Sequence, residues 1–235
     1  MNSHTTINIR PCRRIWLFRI FIERVNYNFG MGRVRGFDVE EALDVAIELF
    51  WQQGYEGTPI QALCHAMSLQ PGSVYAAFGS KRDLFVAALR RYIETVSAEA
   101  VDRINSAPSG LQGVCDYFGH LVDAMVDGKR ARGCLVTNSL VEFATRDPEL
   151  AGMFQLHLAR LQTSFAAALA RARAEGELRP GAGPESAGML VAVVQGMNVM
   201  AKGHPGRRAL QDVAEATLAG LDAEDEARPE ASRHA

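Results

Sequence analysis

Apolar side chains recur with the 3.6-residue period of an α-helix along most of this chain, and no useful stretch alternates with the two-residue period of a β-strand. From Val39 the apolar positions are spaced three and four apart, and Asp38 is placed to cap the helix that they predict. Gly54 follows as its stop. Similar stripes predict helices over 111–126, 134–145, 148–175, 184–202 and 206–221. The pattern therefore predicts an all-α fold.

Residues 58–82 predict shorter helices. Thr58 is placed to cap the first of them, with Pro59 at its first helical position. Ser68 and Leu69 predict a tight turn, and a second short helix runs from Pro71 to about Phe78. Two short helices joined by a tight turn are typical of a helix-turn-helix unit.

Turn residues and caps further along divide the chain. Ser80, with Asp83 three residues on, has the spacing of a capping box and predicts a long helix to about residue 106. The sequence Pro108-Ser109-Gly110 then marks a junction. We predict five segments: an extension at 1–30, a helix-turn-helix domain at 31–82, a connecting helix at 83–106, a second helical domain at 107–221 and a disordered tail at 222–235.

The first 30 residues differ from the rest. They carry five arginines against the single acid Glu23 and show no sustained apolar period. Met31 directly precedes the helical region, as a start codon would. We therefore expect 1–30 to be disordered or to come from translation upstream of the true start. The alternative is an arm that binds nucleic acid.

Composition limits the classes of function. The chain has 235 residues, 48% of them apolar and 22% charged, which is ordinary for a globular protein with a core. Its net charge is −2, so any positive surface for nucleic acid must be local. The four cysteines are widely spaced, which argues against a zinc site or a disulfide framework and favours a reducing cytoplasm. No apolar run is long enough for a bilayer, so we expect no membrane partner.

The helix-turn-helix segment has a charge pattern suited to DNA. From Gly57 to Arg82 it contains no aspartate or glutamate, and a surface that faces phosphates should exclude carboxylates. Its second helix begins Gln70-Pro71-Gly72-Ser73, where small and polar side chains allow close approach to base edges in a major groove. Lys81 and Arg82 close the segment, and we expect both to contact phosphates.

Residues 37–91 resemble the DNA-binding domain of the TetR/AcrR family of transcriptional regulators. The matching positions are Ala46, Leu49-Phe50, Gly54-Tyr55, Thr58, Ile60, Leu63, Pro71-Gly72-Ser73-Val74-Tyr75, Phe78, Ser80-Lys81 and Leu84-Phe85. Two positions depart from the family pattern. Ser68 stands at a turn position that is often glycine, and Ala77 stands where histidine or tyrosine is common. The serine must then occupy a backbone region that disfavours a Cβ atom.

The resemblance implies roles for eight residues. Three would contact phosphates (Thr58, Tyr75, Lys81), three would face bases (Gln70, Gly72, Ser73), and two would lie in or beside the minor groove (Arg33, Arg35). It also implies a homodimeric repressor, released from a palindromic operator in double-stranded DNA by a small-molecule effector of unknown identity. The helix at 184–202, which is too apolar to face water, and the amphipathic helix at 206–221 would then pair two subunits.

We place the effector between the helices at 110–127, 134–145 and 148–175, because bundle cores are common sites for apolar ligands. The expected lining is apolar with two polar groups: Phe118, Leu121, Met125, Met153 and Phe154, with Cys134 and Asn138. Cys134, Asn138 and Glu142 form a polar line that faces solvent, satisfies a neighbouring helix end or lines this cavity. A further alternative is that an electrophile or oxidant modifies the Cys134 thiol.

Two other classes of function were weighed. An all-helical enzyme with a DNA-binding head finds no support, because the chain has no zinc-protease, phosphate-loop or nucleophile-elbow motif. We therefore predict no catalytic residue, cofactor or metal site, and we expect His120 and His157 to be interior histidines. A ligand-independent DNA-coating protein should be broadly basic, and the net acidic charge argues against it.

Overall fold

The computed structural model describes residues 36–126, 132–143 and 145–223. The expectations for residues 1–30, for Arg33 and Arg35, and for the tail beyond residue 223 lie outside this part of the chain. From Val39 onward the described residues belong to one compact unit.

The described residues are mostly helical, with one isolated β-bridge between Leu178 and Asp222 and no named strand, which confirms the all-α prediction. The α-helices are α1 (Val39–Gln53), α2 (Ile60–Ala66), α3 (Pro71–Phe78), α4 (Lys81–Tyr92), α5 (Ala98–Ser106), α6 (Gly110–Val126), α7 (Leu135–Phe143), α8 (Pro148–Ala174), α9 (Ala187–Ala201) and α10 (Arg207–Ala219). A π-helical turn (Ile93–Ser97) joins α4 to α5, so the predicted long helix to residue 106 is continuous but not uniformly α-helical.

Local capping explains several helix starts. The Ser80 side chain accepts from the Asp83 backbone N–H, and the Asp83 carboxylate accepts from the Ser80 N–H at 3.1 Å, so the predicted capping box is confirmed. At α8 the Asp147 carboxylate accepts from the N–H groups of Glu149 and Leu150, and Pro148 occupies the first turn. These short-range bonds satisfy donors that have no partner inside their helix.

The buried apolar side chains form two clusters. The bundle cluster joins α5, α6, α8, α9 and α10 around Phe118, Phe165 and Leu190. The head cluster joins α1–α4 around Phe50 and Leu84, and it also contains residues of α7 and the start of α8. Helix α7 therefore completes the core of the helix-turn-helix region. None of the described helices is long and apolar enough to cross a membrane.

Candidate nucleic-acid interface

The turn between α2 and α3 has the hydrogen bonds of a Schellman motif. The Leu69 N–H donates to the Cys64 carbonyl at 2.9 Å, and the Ser68 N–H donates to the His65 carbonyl at 3.0 Å. Ser68 occupies the left-handed region with φ 55°, which confirms the predicted strain at this position. Leu69 packs on the head cluster, and Cys64 is buried there. The turn is therefore fixed by backbone bonds and an apolar anchor.

Helix α3 presents its first turn to solvent. Gln70, Gly72 and Ser73 are exposed, whereas Val74 is 1% exposed and anchors the helix in the head cluster. A Cβ atom on Gly72 would meet no heavy atom within 4 Å, so this edge of the helix is open. The three residues expected to face bases therefore lie together on an accessible surface.

Tyr75 and Lys81 flank this open surface. The Tyr75 side chain is 48% exposed, so its hydroxyl is open to a partner in solution. Lys81 lies at the start of α4, where its Nζ is 4.3 Å from the centroid of the Tyr55 ring. A cation over an aromatic face is attracted by the ring quadrupole, and this contact restricts the lysine. Both side chains can donate to a phosphate beside α3.

The expectation that Thr58 contacts a phosphate is wrong in this conformation. Thr58 is 0% exposed, and its Oγ1 donates to the Gly54 carbonyl at 2.6 Å. Its predicted capping role is also wrong, because Pro59 is the cap residue of α2 and no side chain bonds to that helix start. The hydroxyl instead satisfies a carbonyl at the end of α1.

Arg82, which we expect to contact phosphates, is bound by two carboxylates in this structure. Its Nε and Nη2 donate to the Asp147 carboxylate at 2.8 and 3.0 Å, and Nη2 also donates to Glu149 at 2.9 Å. The hydrogen bond from Arg82 holds the pKa of Asp147 below its ordinary value, and the two carboxylates raise the pKa of Arg82. Arg82 therefore joins α4 to the start of α8.

A second group of contacts joins α1 to residues around α7. Trp51 Nε1 donates to the Gly133 carbonyl at 3.0 Å. The Glu142 carboxylate accepts from the backbone N–H groups of Tyr55 at 3.4 Å and Glu56 at 3.2 Å. For Glu142, one member of the predicted polar line, the structure shows the alternative in which it satisfies the end of a neighbouring helix.

The residues expected to line an effector cavity are divided between two places. Phe118, Leu121 and Met125 pack in the bundle cluster, whereas Cys134, Met153 and Phe154 pack in or against the head cluster. Asn138 donates to the Arg132 carbonyl at 2.9 Å. The seven residues therefore do not form one lining, because α7 packs on the head helices. The cysteine is 7% exposed, which shields its thiol from reagents.

Trp51, Arg82 and Glu142 make contacts across the chain that are not among the expectations from sequence. The partners of Trp51 and Arg82 lie 82 and 65 positions away, so no local pattern pairs them. For Glu142 a signal existed, because a carboxylate on a largely apolar helix requires a donor.

Two family models match this chain. The model described as "Bacterial regulatory proteins, tetR family" matches residues 42–88, and "Tetracyclin repressor-like, C-terminal domain" matches residues 110–217. Together they span the helices α1–α4 and α6–α10.

Full-length relatives agree with these matches. The chain is 38% identical over 148 residues to the HTH-type transcriptional regulator YezE of Bacillus subtilis (strain 168), covering 63% of this chain and 76% of YezE. It is 28% identical to the HTH-type transcriptional repressor ComR of Escherichia coli (strain K12), covering 80% and 90%. Its fold matches the TetR family regulator CifR in complex with 26-base-pair operator DNA, with TM-score 0.69, 33% identity and coverage of 79% and 98%.

Proposed function

The chain belongs to the TetR family of helix-turn-helix transcriptional regulators, and on that premise we propose that it is a homodimeric repressor released from a palindromic operator by a small molecule. A DNA-binding regulator acts where the chromosome is, so the proposed place of action is the bacterial cytoplasm. The domain limits of 31–82 for DNA binding and 107–221 for ligand binding and dimerisation are part of this proposal.

The observation that carries the proposal is the open edge of α3. Gln70, Gly72 and Ser73 are exposed on it, and no carboxylate occurs between Gly57 and Arg82. Small polar groups at a helix start suit direct contact with base edges, while Tyr75 and Lys81 beside them suit phosphates. The proposed DNA contacts are therefore these five residues, with Arg33 and Arg35 as the arm. Thr58 is left out because it is buried.

The proposed dimer face lies on α9. Its exposed residues fall within one stripe of the helix and are all apolar or small: Gly188, Met189, Ala192, Gly196, Val199 and Met200. Met189 is 47% and Val199 54% exposed, which is unusual for such side chains on a helix without a charged residue. Small residues at 188, 192 and 196 would let a partner helix approach closely. The oligomer expected from such a self-complementary stripe is a twofold dimer.

The contacts around α7 support a response to ligands. Gly133, Glu142 and Asp147 each bind a group of the helix-turn-helix region, so a shift of this segment changes the position of that region. In a dimer, the distance between two recognition helices must match half-sites separated by about 34 Å or a multiple of it. A ligand that binds the arrangement unsuited to the operator more tightly than the suited one shifts the protein toward the former. Operator affinity then falls by at most the ratio of the ligand's affinities for the two arrangements.

Selection of random duplex DNA by the purified chain tests the proposal. We expect recovered sequences to share an inverted repeat, and footprinting to protect a short site of fixed length. Protection that grows in proportion to protein concentration along any duplex would contradict an operator-specific repressor and favour the ligand-independent alternative. Recovery of a single unrepeated half-site would contradict the dimer.

A further inference from the structure

A groove of about 540 Å³ lies between the end of α1, helix α7 and the end of α9. This volume is within the range of small-molecule sites, about 300–1,000 Å³. Trp51 lines it from α1 and Tyr55 from the turn after α1. Leu135 and Glu142 line it from α7, and Val199, which also lies on the proposed dimer face, lines it from α9. It lies outside the cavity that the sequence predicted, since only Asn138 of that set is among its lining residues.

Three aromatic residues are among those that line the groove. Phe50, Trp51 and Phe85 line it and are themselves buried in the head cluster, so these rings are held in place. Phe50 and Phe85 meet edge to face at 5.0 Å between ring centroids. Trp51 is the most exposed of the three at 8%, so a flat apolar group that enters the groove would pack mainly against it and cost little freedom of the protein side chains.

The charged groups of the groove are mostly basic. Arg132, Lys202 and His204 line it, and its single acid is Glu142, which already accepts two backbone N–H bonds. Arg132 is 3.4 Å from Glu48, whereas Lys202 and His204 have no ion pair with an acid in the described parts of the chain. His204 also has φ 50°, a region that histidine enters more readily than most residues. The groove therefore combines apolar side chains with the positive charge of Lys202, which pairs with no acid of the described residues.

We propose that this groove binds a small amphipathic organic anion, with an apolar or aromatic body against Trp51 and its acid group beside Lys202 and His204. The inference rests on the proposed function, because it makes this ligand class the effector. Glu142 and Tyr55, whose backbone N–H donates to the Glu142 carboxylate, both line the same groove. An added anion repels the Glu142 carboxylate, which weakens its bonds to the end of α1 and releases the helix-turn-helix region.

Anilinonaphthalene sulfonate is a suitable probe, because it joins aromatic rings to one anion, and phenylnaphthylamine is the same ring system without the anion. The full chain is used with Trp16→Phe, which leaves Trp51 as its one tryptophan. We expect saturable binding of one sulfonate dye per chain that quenches Trp51 and weakens with salt. The uncharged dye should bind less tightly.

Lys202→Gln should weaken binding of the sulfonate dye about fivefold, as expected for one partly exposed ion pair, and leave the affinity for the uncharged dye unchanged. The matched control is Arg160→Gln, which removes an exposed cation on α8 and should change the affinity for neither dye. Sedimentation and melting curves check that Lys202→Gln keeps assembly and fold. Equal affinity for both dyes, or sulfonate binding that is unaffected by Lys202→Gln, would overturn the proposed site.

Operator affinity is measured separately, with and without dye. Release of operator by the sulfonate dye, reduced in Lys202→Gln, would support its role as effector. Dye binding with no effect on operator affinity would overturn that role. Absence of any selected operator would instead contradict the proposed function, so the two failures are distinguishable.

Discussion

Arg82 and Asp147 form a two-point ion pair at 2.8 and 3.0 Å between the start of α4 and the residue that caps α8. Their side chains are 40% and 17% exposed. Asp147→Asn keeps a side chain that can cap α8 and removes the charge. We expect a loss of about 1 kcal/mol in the free energy of unfolding, because the pair is geometrically good but partly solvated.

The effect of Asp147→Asn should depend on pH. Arg82 lowers the pKa of folded Asp147 below the ordinary 3.8, so the pair stabilises the fold above that value and loses its effect as pH falls through the lowered pKa. Denaturant unfolding from pH 7 to pH 2 should show the wild-type advantage vanish at the acid end. Asp102→Asn on exposed α5 is the control. A difference that persists unchanged at pH 2 would contradict the ion-pair explanation.

Glu142→Gln should loosen the end of α1. The carboxylate binds the N–H groups of Tyr55 and Glu56 with separate oxygens, and an amide offers only one acceptor atom. We expect amide exchange at these two residues to quicken about tenfold, measured by hydrogen exchange. Glu94→Gln, an exposed carboxylate in the π-helical turn, should leave both rates unchanged.

Ser68→Gly should stabilise the protein by about 0.5–1 kcal/mol, because glycine relieves the left-handed strain at φ 55°. The greater conformational entropy of glycine in the unfolded chain offsets only part of this gain. Thermal or denaturant unfolding measures this change. Ser164→Gly within α8 is the matched control and should destabilise, since glycine disfavours a helix interior. The same sign for both variants would show that the turn is not strained.

Lys81→Ala should weaken DNA binding about equally for all sequences and reduce the salt slope by about one unit, as expected for one lost phosphate contact. Gln70→Ala should instead change which bases are preferred. Binding titrations over a range of salt separate the two effects, with Arg208→Ala, at an exposed position of α10, as control. An unchanged slope in Lys81→Ala would remove Lys81 from the proposed interface.

Ala192→Arg should dissociate the proposed dimer, because it would bury an unpaired charge at a cost of several kcal/mol. Ala192 is exposed, so the folded monomer should tolerate the change. Sedimentation at micromolar concentration measures assembly, and Ala66→Arg, at an exposed alanine of α2, is the control. A variant that sediments as the wild type does would place the interface elsewhere.

The helix limits could be predicted because local features determine them. Ser80 and Asp147 each cap the next helix by accepting bonds from N–H groups no more than three residues further on. Pro148 is the first residue of α8, as its sequence indicates. The lining of a ligand cavity could not be predicted in this way, because it depends on which helices pack together. Helix α7 is apolar on most sides, and its sequence does not say whether it packs on α6 or on the helix-turn-helix region.

The same limit applies to single side chains. Thr58 has a hydroxyl that suits a phosphate or a helix cap, and only the fold shows that the Gly54 carbonyl accepts its bond. Arg82 has the same formal charge as Lys81 beside it, yet its reach to Asp147 spans 65 positions. Charge patterns therefore indicate a surface for DNA but do not assign a role to each group on it.

The sharing of the head cluster by α7 has a consequence for engineering. Leu135, Val136, Leu150 and Phe154 belong to the same core as Phe50 and Leu84. A fragment cut after α5 would expose the faces that these residues cover. A chimera that transplants the DNA specificity of this chain must therefore carry two separate stretches, 39–92 and 133–154, because the exchangeable part is contiguous in space and discontinuous in sequence.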